Sequence, residues 1–447
     1  MVSVSPQSVN RPAAQERGLF SFLNMPMDEL LGWFLVCGCA FLNLANLLVD
    51  KDEVGIDLQV LAKLGLIGMG ACYGLNGFLT RPRVRKILLS FPVAWLPIIL
   101  VFYFIAVPSS ASPKFSLVST CSSVAILLMM ATALDHLGVM KTLKAVFAGM
   151  ALFVVGSWLA YFLAPSIGVM AEPIAGGKFV NRMSGLAHPN TLGQFAGLTV
   201  VFSVVLYFSY QQKNYLTVLI GLLAFAALIN CYSRTSLMAC GVALMVGYRH
   251  LYLRREYVGF FVIGFILLLV AALMASTQTD LGNKLESKLA LLSKSDDAEE
   301  LTTATGRSEI WGHAIFLLEK QPITGYGAAT QKYFFEDYSL YTHNMLLNIA
   351  FSGGVFAGIA ALLMILGRLR SLLYYRHPLA DALAVFIIVN GLFENVVFSI
   401  LCGLPTMLWV LTLAWTVLGD DPAVKMLDRS PERSKRPTRG YLRLEQS

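Results

Sequence analysis

The chain reads as a succession of apolar runs, each about as long as a bilayer core is thick, joined by short polar connections. A helix needs about 20 apolar residues to cross a bilayer. Runs of that order stand near 30–49, 57–79, 87–107, 116–139, 143–165, 191–210, 215–231, 235–249, 257–275, 343–366, 379–399 and 401–418, the eighth and last being short. They are apolar all round rather than along one stripe, as suits a helix solvated by lipid. The pattern predicts an all-α membrane protein with about twelve transmembrane helices. One connection breaks the rhythm: residues 276–342 are polar throughout, and a loop of that length with internal structure usually carries function. Leu281–Leu292 is helix-like, as is 307–320, where Ile310, Ala314 and Leu317 share a face and Pro322 stands just past the end. Gly325 and Gly327 then mark a turn. The division is a polar segment 1–29, nine helices over 30–275, the large loop 276–342, three helices over 343–418, and a charged, Pro-containing tail 419–447 that reads as disordered. No internal repeat is visible.

Composition sharpens this picture. Of 447 residues 56% are hydrophobic and 14% charged, with a mean hydropathy of +0.66, and a soluble domain could not hide that much apolar surface. Arg11 and Arg17 precede the first run, which is long enough to span, so it reads as a retained helix rather than a cleaved signal. With the N-terminus inside and the runs alternating, 22 of the 34 Lys and Arg fall inside and 11 outside, with Lys63 within the second run. That bias puts both termini in the cytoplasm. It also explains the net charge of +7 without nucleic acid; the large loop, with ten acids and six bases, is no nucleic-acid surface. The seven cysteines lie in or beside apolar runs without metal-ligand spacing and read as packing residues.

The residues able to carry chemistry gather on the outer side, in four clusters: Arg182 to Leu186 with His188, Pro189 and Asn190; Tyr232 to Ser236 around Arg234; Gly306 to Trp311 around Arg307, with Pro322 to Gly327; and Tyr341 to Asn344 around His343, with Gly353 and Gly354. Any one arginine at a boundary can simply snorkel to headgroups. Arg182, Arg234 and Arg307 are, however, the only arginines outside, each among Gly, Ser or Asn, and guanidinium groups suit bidentate contact with phosphate. Together they suggest a diphosphate site. His343 is either an interfacial histidine or a base whose pKa a helix N-terminus lowers. His188 reads as structural, holding the loop end. Glu394, toward the outer end of the eleventh run, is a functional acid or the partner of an outer arginine. No outer pair of acids has metal-ligand spacing, and none suggests a glycosidase.

At these clusters the sequence resembles the O-antigen ligase and Wzy-type polymerase superfamily of bacterial envelope glycosyltransferases, from about Arg182 to Gly358. The resemblance implies a GT-C type enzyme of the inner membrane whose large loop is periplasmic and whose donor is a glycan on undecaprenyl diphosphate, with no cofactor and no metal. It implies that Arg182, Arg234 and His343 are the catalytic residues. Arg307, His188, Asn190, Asn344 and Glu394 are the expected substrate-binding residues. The acceptor would be a second lipid-linked glycan, for a polymerase, or lipid A–core, for a ligase; a chain-length regulator and a flippase are the expected partners. His188, Pro189 and Asn190 are closer to the polymerases. A protein glycosyltransferase of the same superfamily is a third option. A polysaccharide or lipid transporter shares the helix count, but would show related halves and polar clusters at the midplane.

Overall fold

The computed structural model describes residues 25–44, 58–173, 179–209, 214–249, 307–335, 341–374, 377–398 and 403–418. The expected ninth span, the stretch at 281–292 and the tail lie outside these residues. The described elements are α1 (Met27–Gly38), α2 (Leu58–Thr80), α3 (Pro82–Leu89), α4 (Trp95–Ala106), α5 (Pro113–His136), α6 (Gly138–Leu163), one turn α7 (Pro165–Gly168), a hairpin of β1 (Val169–Pro173) and β2 (Phe179–Met183), α8 (Pro189–Phe208), α9 (Tyr215–Asn230), α10 (Arg234–Gly247), α11 (Arg307–Lys320), α12 (Met345–Tyr374), α13 (Pro378–Gly391) and α14 (Leu404–Leu418). Five of these, α2, α5, α6, α8 and α12, are long and apolar enough to cross a membrane, and five apolar helices are shorter. The chain is a multi-pass membrane protein.

Burial separates the inner helices from those that face lipid. The membrane-length part of α8 is 78% buried, that of α2 only 22%. α8 can therefore carry Gln194, Thr199 and Ser203 inside the bundle, where the Thr199 hydroxyl bonds back to the Phe195 carbonyl at 2.7 Å. Phe153 of α6 stacks on Phe195 of α8 with ring centroids 4.3 Å apart. α2 lays Gly70, Gly74 and Gly77 against α5, so that the two backbones approach closely, a common solution between helices in lipid.

The observed elements depart from the sequence pattern in four places. The expected third span is two helices, α3 and α4, because Ser90 to Ala94 with Pro92 form a turn. The expected tenth span runs on to Tyr374 and is broken inside at Gly354, whose φ of 81° and ψ of 177° are not helical. The eleventh ends at Gly391, eight residues early, so Glu394 lies beyond the helix rather than in it. The hairpin is the one sheet among the described residues of an otherwise helical fold.

Charged side chains away from the polar clusters are tied down by partners. Lys63 donates to the Leu44 carbonyl at 2.7 Å. Arg249 and Arg368, both 2% exposed, share the fully buried Asp381 at 2.8 Å each, joining α12 and α13 to the residues after α10. These two arginines, counted in the charge bias, therefore do not face water.

Candidate functional site

All four polar clusters stand immediately before a helix. α8 begins after His188, whose Nδ1 accepts from the Asn190 amide at 3.2 Å, with Pro189 in the first helical position. α10 begins at Arg234 after Ser233. α11 begins at Arg307. α12 begins after Asn344, whose Oδ1 accepts from the Leu347 amide at 2.9 Å, a side-chain N-cap. The opening amides of α8, α10 and α12 lack helical partners, and each of these N-termini carries about half a positive charge.

Two charged side chains draw these four ends together. Arg182, on β2, is 2% exposed. Its Nε donates to the Cys231 carbonyl at 2.9 Å, just ahead of α10; its Nη2 donates to Asn190 Oδ1 at 2.8 Å, in the first turn of α8; its Nη1 pairs with Glu172. Arg182 lies opposite Met170 in the hairpin, which makes Glu172 its diagonal neighbour on one face. Glu394 forms the second hub. Its Oε1 accepts from Asn190 Nδ2 at 3.0 Å and from Arg307 Nη2 at 2.8 Å, and its Oε2 accepts from His343 Nδ1 at 3.1 Å. Asn190 is thus shared by both hubs.

The electrostatics agree with this crowding. Burial lowers the Arg307 pKa; Glu394 opposes the shift, while the nearby charge of Arg234 adds to it. His188 also titrates below the usual range, first because protein surrounds its ring and next because of Arg182, with Glu394, Glu172 and His343 close enough to contribute. Among the described residues no group of three or more His, Cys, Asp and Glu could hold a metal ion.

The remaining motif pieces build the support. Beside the break at Gly354, the Phe351 and Ser352 carbonyls accept from the Tyr326 and Gly327 amides at 2.8 and 3.0 Å. The Val355 amide donates to the Pro322 carbonyl at 2.7 Å. A Cβ on Gly354 would stand 2.1 Å from the Ile323 carbonyl oxygen. Trp311 Nε1 donates to the Thr342 carbonyl at 2.9 Å. The turn after α11 is thereby locked to α12, and Arg307 and His343 are held in one frame.

Three sequence expectations change here. Each of the three guanidinium nitrogens of Arg182 has a protein acceptor, so in this state the side chain is engaged by the protein. Asn344 uses Oδ1 as a cap and donates Nδ2 to the Leu392 carbonyl at 3.1 Å, so in this state both ends of its amide are engaged by the protein. His343 is not the first residue of its helix; its backbone is left-handed, with φ at 49°, and the group that orients its ring is Glu394, not a helix dipole. An ionised carboxylate only accepts, so it holds the proton on Nδ1 and leaves Nε2 as an acceptor. Glu172 was not anticipated, although Gly176 and Gly177 between two β-prone segments are a hairpin signal.

Residues 219–363 match the family model described as O-antigen ligase. The match takes in Arg234, Arg307, His343 and Gly354 and bears out the resemblance seen in the motifs. No curated protein matches the chain.

Proposed function

We propose that this chain is a metal-independent glycosyltransferase of the bacterial inner membrane that joins undecaprenyl-diphosphate-linked repeat units at the periplasmic face. The observation that carries the reading is the gathering of the N-termini of α8, α10 and α12 with Arg234 and Arg307 around one polar spot. Helix N-termini and guanidinium groups both favour phosphate. The Lys and Arg bias supports an orientation with both termini cytoplasmic and the 276–342 loop periplasmic. A flippase would supply the donor to that side.

In the reaction, the acceptor hydroxyl attacks the anomeric carbon and the bond from that carbon to the diphosphate oxygen breaks. His343 Nε2 takes the hydroxyl proton while Glu394 holds Nδ1–H and steadies the charged ring. Arg234, Arg307 and the helix ends stabilise the charge that develops on the departing diphosphate. Arg182 is a positioning residue: it aligns the start of α8 with the start of α10.

The description of the matched family favours a second reading, in which the acceptor is lipid A–core. One experiment serves both. Purified protein in nanodiscs is given a diphosphate-linked donor with either a second lipid-linked unit or lipid A–core as acceptor. Polymer from the first mixture supports the polymerase and product only from the second supports the ligase. Arg234→Ala should abolish either product and Arg234→Lys should rescue little, because a point charge lacks the planar fork. Full activity of the Lys variant would remove Arg234 from the diphosphate site.

A further inference from the structure

Tyr232 opens the cluster around Arg234, yet the proposed reaction gives it no role. Its neighbours Cys231 and Ser233 are buried, yet its own side chain is 53% exposed. Its backbone is left-handed, with φ at 49°, a conformation that glycine and asparagine adopt readily and a bulky aromatic residue seldom does. Every group around it enforces that conformation. The Cys231 carbonyl is held by Arg182 Nε at 2.9 Å. The Cys231 and Tyr232 amides donate to the Ala227 and Ile229 carbonyls at 2.9 and 3.1 Å. The Ser233 hydroxyl donates to Ser236 at 2.9 Å. Gly193 of α8 lies so close that a Cβ there would stand 2.5 Å from the Ser233 side chain. The surroundings thus fix a left-handed residue two places before Arg234, and the chain puts a large aromatic side chain there.

We infer that Tyr232 is the sugar-recognition residue of the site. It would stack its ring on the C–H face of the saccharide next to the diphosphate while Arg234 holds the diphosphate itself. The electron-rich face of an aromatic ring attracts partly positive C–H groups, and the Tyr hydroxyl can remain in water. The rigid backbone fixes where the exposed ring is rooted, so substrate need order only the side chain. The inference rests on the glycosyltransferase reading. The contrasting role is an interfacial aromatic anchor, which fits the membrane boundary equally well but makes the opposite prediction for stability.

Tyr232→Asn relieves the backbone and removes the ring. The variant should melt at the same temperature as the parent or higher, while KM for a saccharide-bearing undecaprenyl diphosphate rises by roughly three- to tenfold, the range of one aromatic contact, with kcat little changed. Tyr232→Phe should behave as the parent. Saccharide-free undecaprenyl diphosphate should bind parent and Asn variant equally. An unchanged KM, a lowered melting temperature in the Asn variant, or equal loss of affinity for the saccharide-free lipid would overturn the assignment. Failure of the parent to bind saccharide-free undecaprenyl diphosphate at all would instead refute the glycosyltransferase reading on which it rests.

Discussion

Glu394 is where stability and chemistry can be separated by choosing the replacement. Its carboxylate receives three donors, from Asn190, Arg307 and His343. Glu394→Ala strands all three. Removing one partner of a buried pair costs about 3–5 kcal/mol, and the lower end applies because the Arg307 and His343 side chains keep 14% and 23% exposure. Such a loss would show as lower folded yield and would say little about catalysis. Glu394→Gln keeps the shape. With its carbonyl toward Arg307 and Asn190, its NH2 faces His343 Nδ1, which must now accept. The ring proton then sits on Nε2, and the nitrogen that should receive the hydroxyl proton is occupied. Weakening one charged contact while keeping its geometry costs about 1–2 kcal/mol, whereas loss of a general base lowers turnover by about 10²–10⁴-fold. The expected outcome in nanodiscs is a melting temperature lowered far less than in the Ala variant, donor binding retained, and turnover down by that order. A Gln variant that folds normally and turns over within about threefold of the parent would show that Glu394 only anchors Arg307 and that His343 is not the base.

Two further outcomes test the frame and the charge balance. Gly354→Ala places a side chain in a glycine-only region of backbone space and 2.1 Å from the Ile323 carbonyl oxygen. It should cost more than about 3 kcal/mol and collapse the melting temperature in detergent, and parental melting would mean that the break in α12 is not held by the Pro322 turn. His188 has its pKa lowered from 6.5, so the unfolded chain binds a proton that the folded protein resists. The residue therefore adds no pH dependence above 6.5 and lowers stability as pH falls below it. His188→Gln should flatten the acid limb of melting temperature against pH, and superimposable limbs would refute that sign.

The apolar pattern announced the membrane and most helix positions, because a lipid-solvated helix needs only length and hydropathy. It could not announce the breaks. Leu346 to Ile365 reads as one apolar run whether or not Gly354 is helical, and the break depends on amides from Tyr326 and Gly327, far away in sequence. Arg182, Arg234, Arg307 and His343 stand out in the sequence as polar residues in connections that the charge pattern predicts to lie outside. Their division of labour was not visible. That Arg182 is enclosed depends on Glu172 across a hairpin and on a carbonyl of Cys231, and a backbone acceptor leaves no mark in a sequence. Glu394 was noticed as an acid in an apolar run, but the early end of α13 is what frees it to meet Arg307 and His343 together.

The placement of the two acids accounts for why the site can be rigid and still receive an anion. Arg182, Arg234 and Arg307 bring three positive charges, and Glu172 and Glu394 bring two negative ones. With neutral histidines the site keeps one positive charge, to which the N-termini of α8, α10 and α12 add about half a charge each. Without the acids, the guanidinium groups would repel one another in a poorly solvated space, as the effect of Arg234 on Arg307 indicates. With them, Arg182 and Arg307 are fixed before any ligand arrives, so the cost of ordering them is met during folding rather than at the transition state. In the proposed reaction Glu394 then acts at both ends of the charge transfer. As the proton reaches His343, its carboxylate faces a second cation. It accepts from Arg307 through Oε1 and from His343 through Oε2, so one acid shared by the base and an arginine keeps both in register while charge moves from the acceptor hydroxyl to the leaving diphosphate.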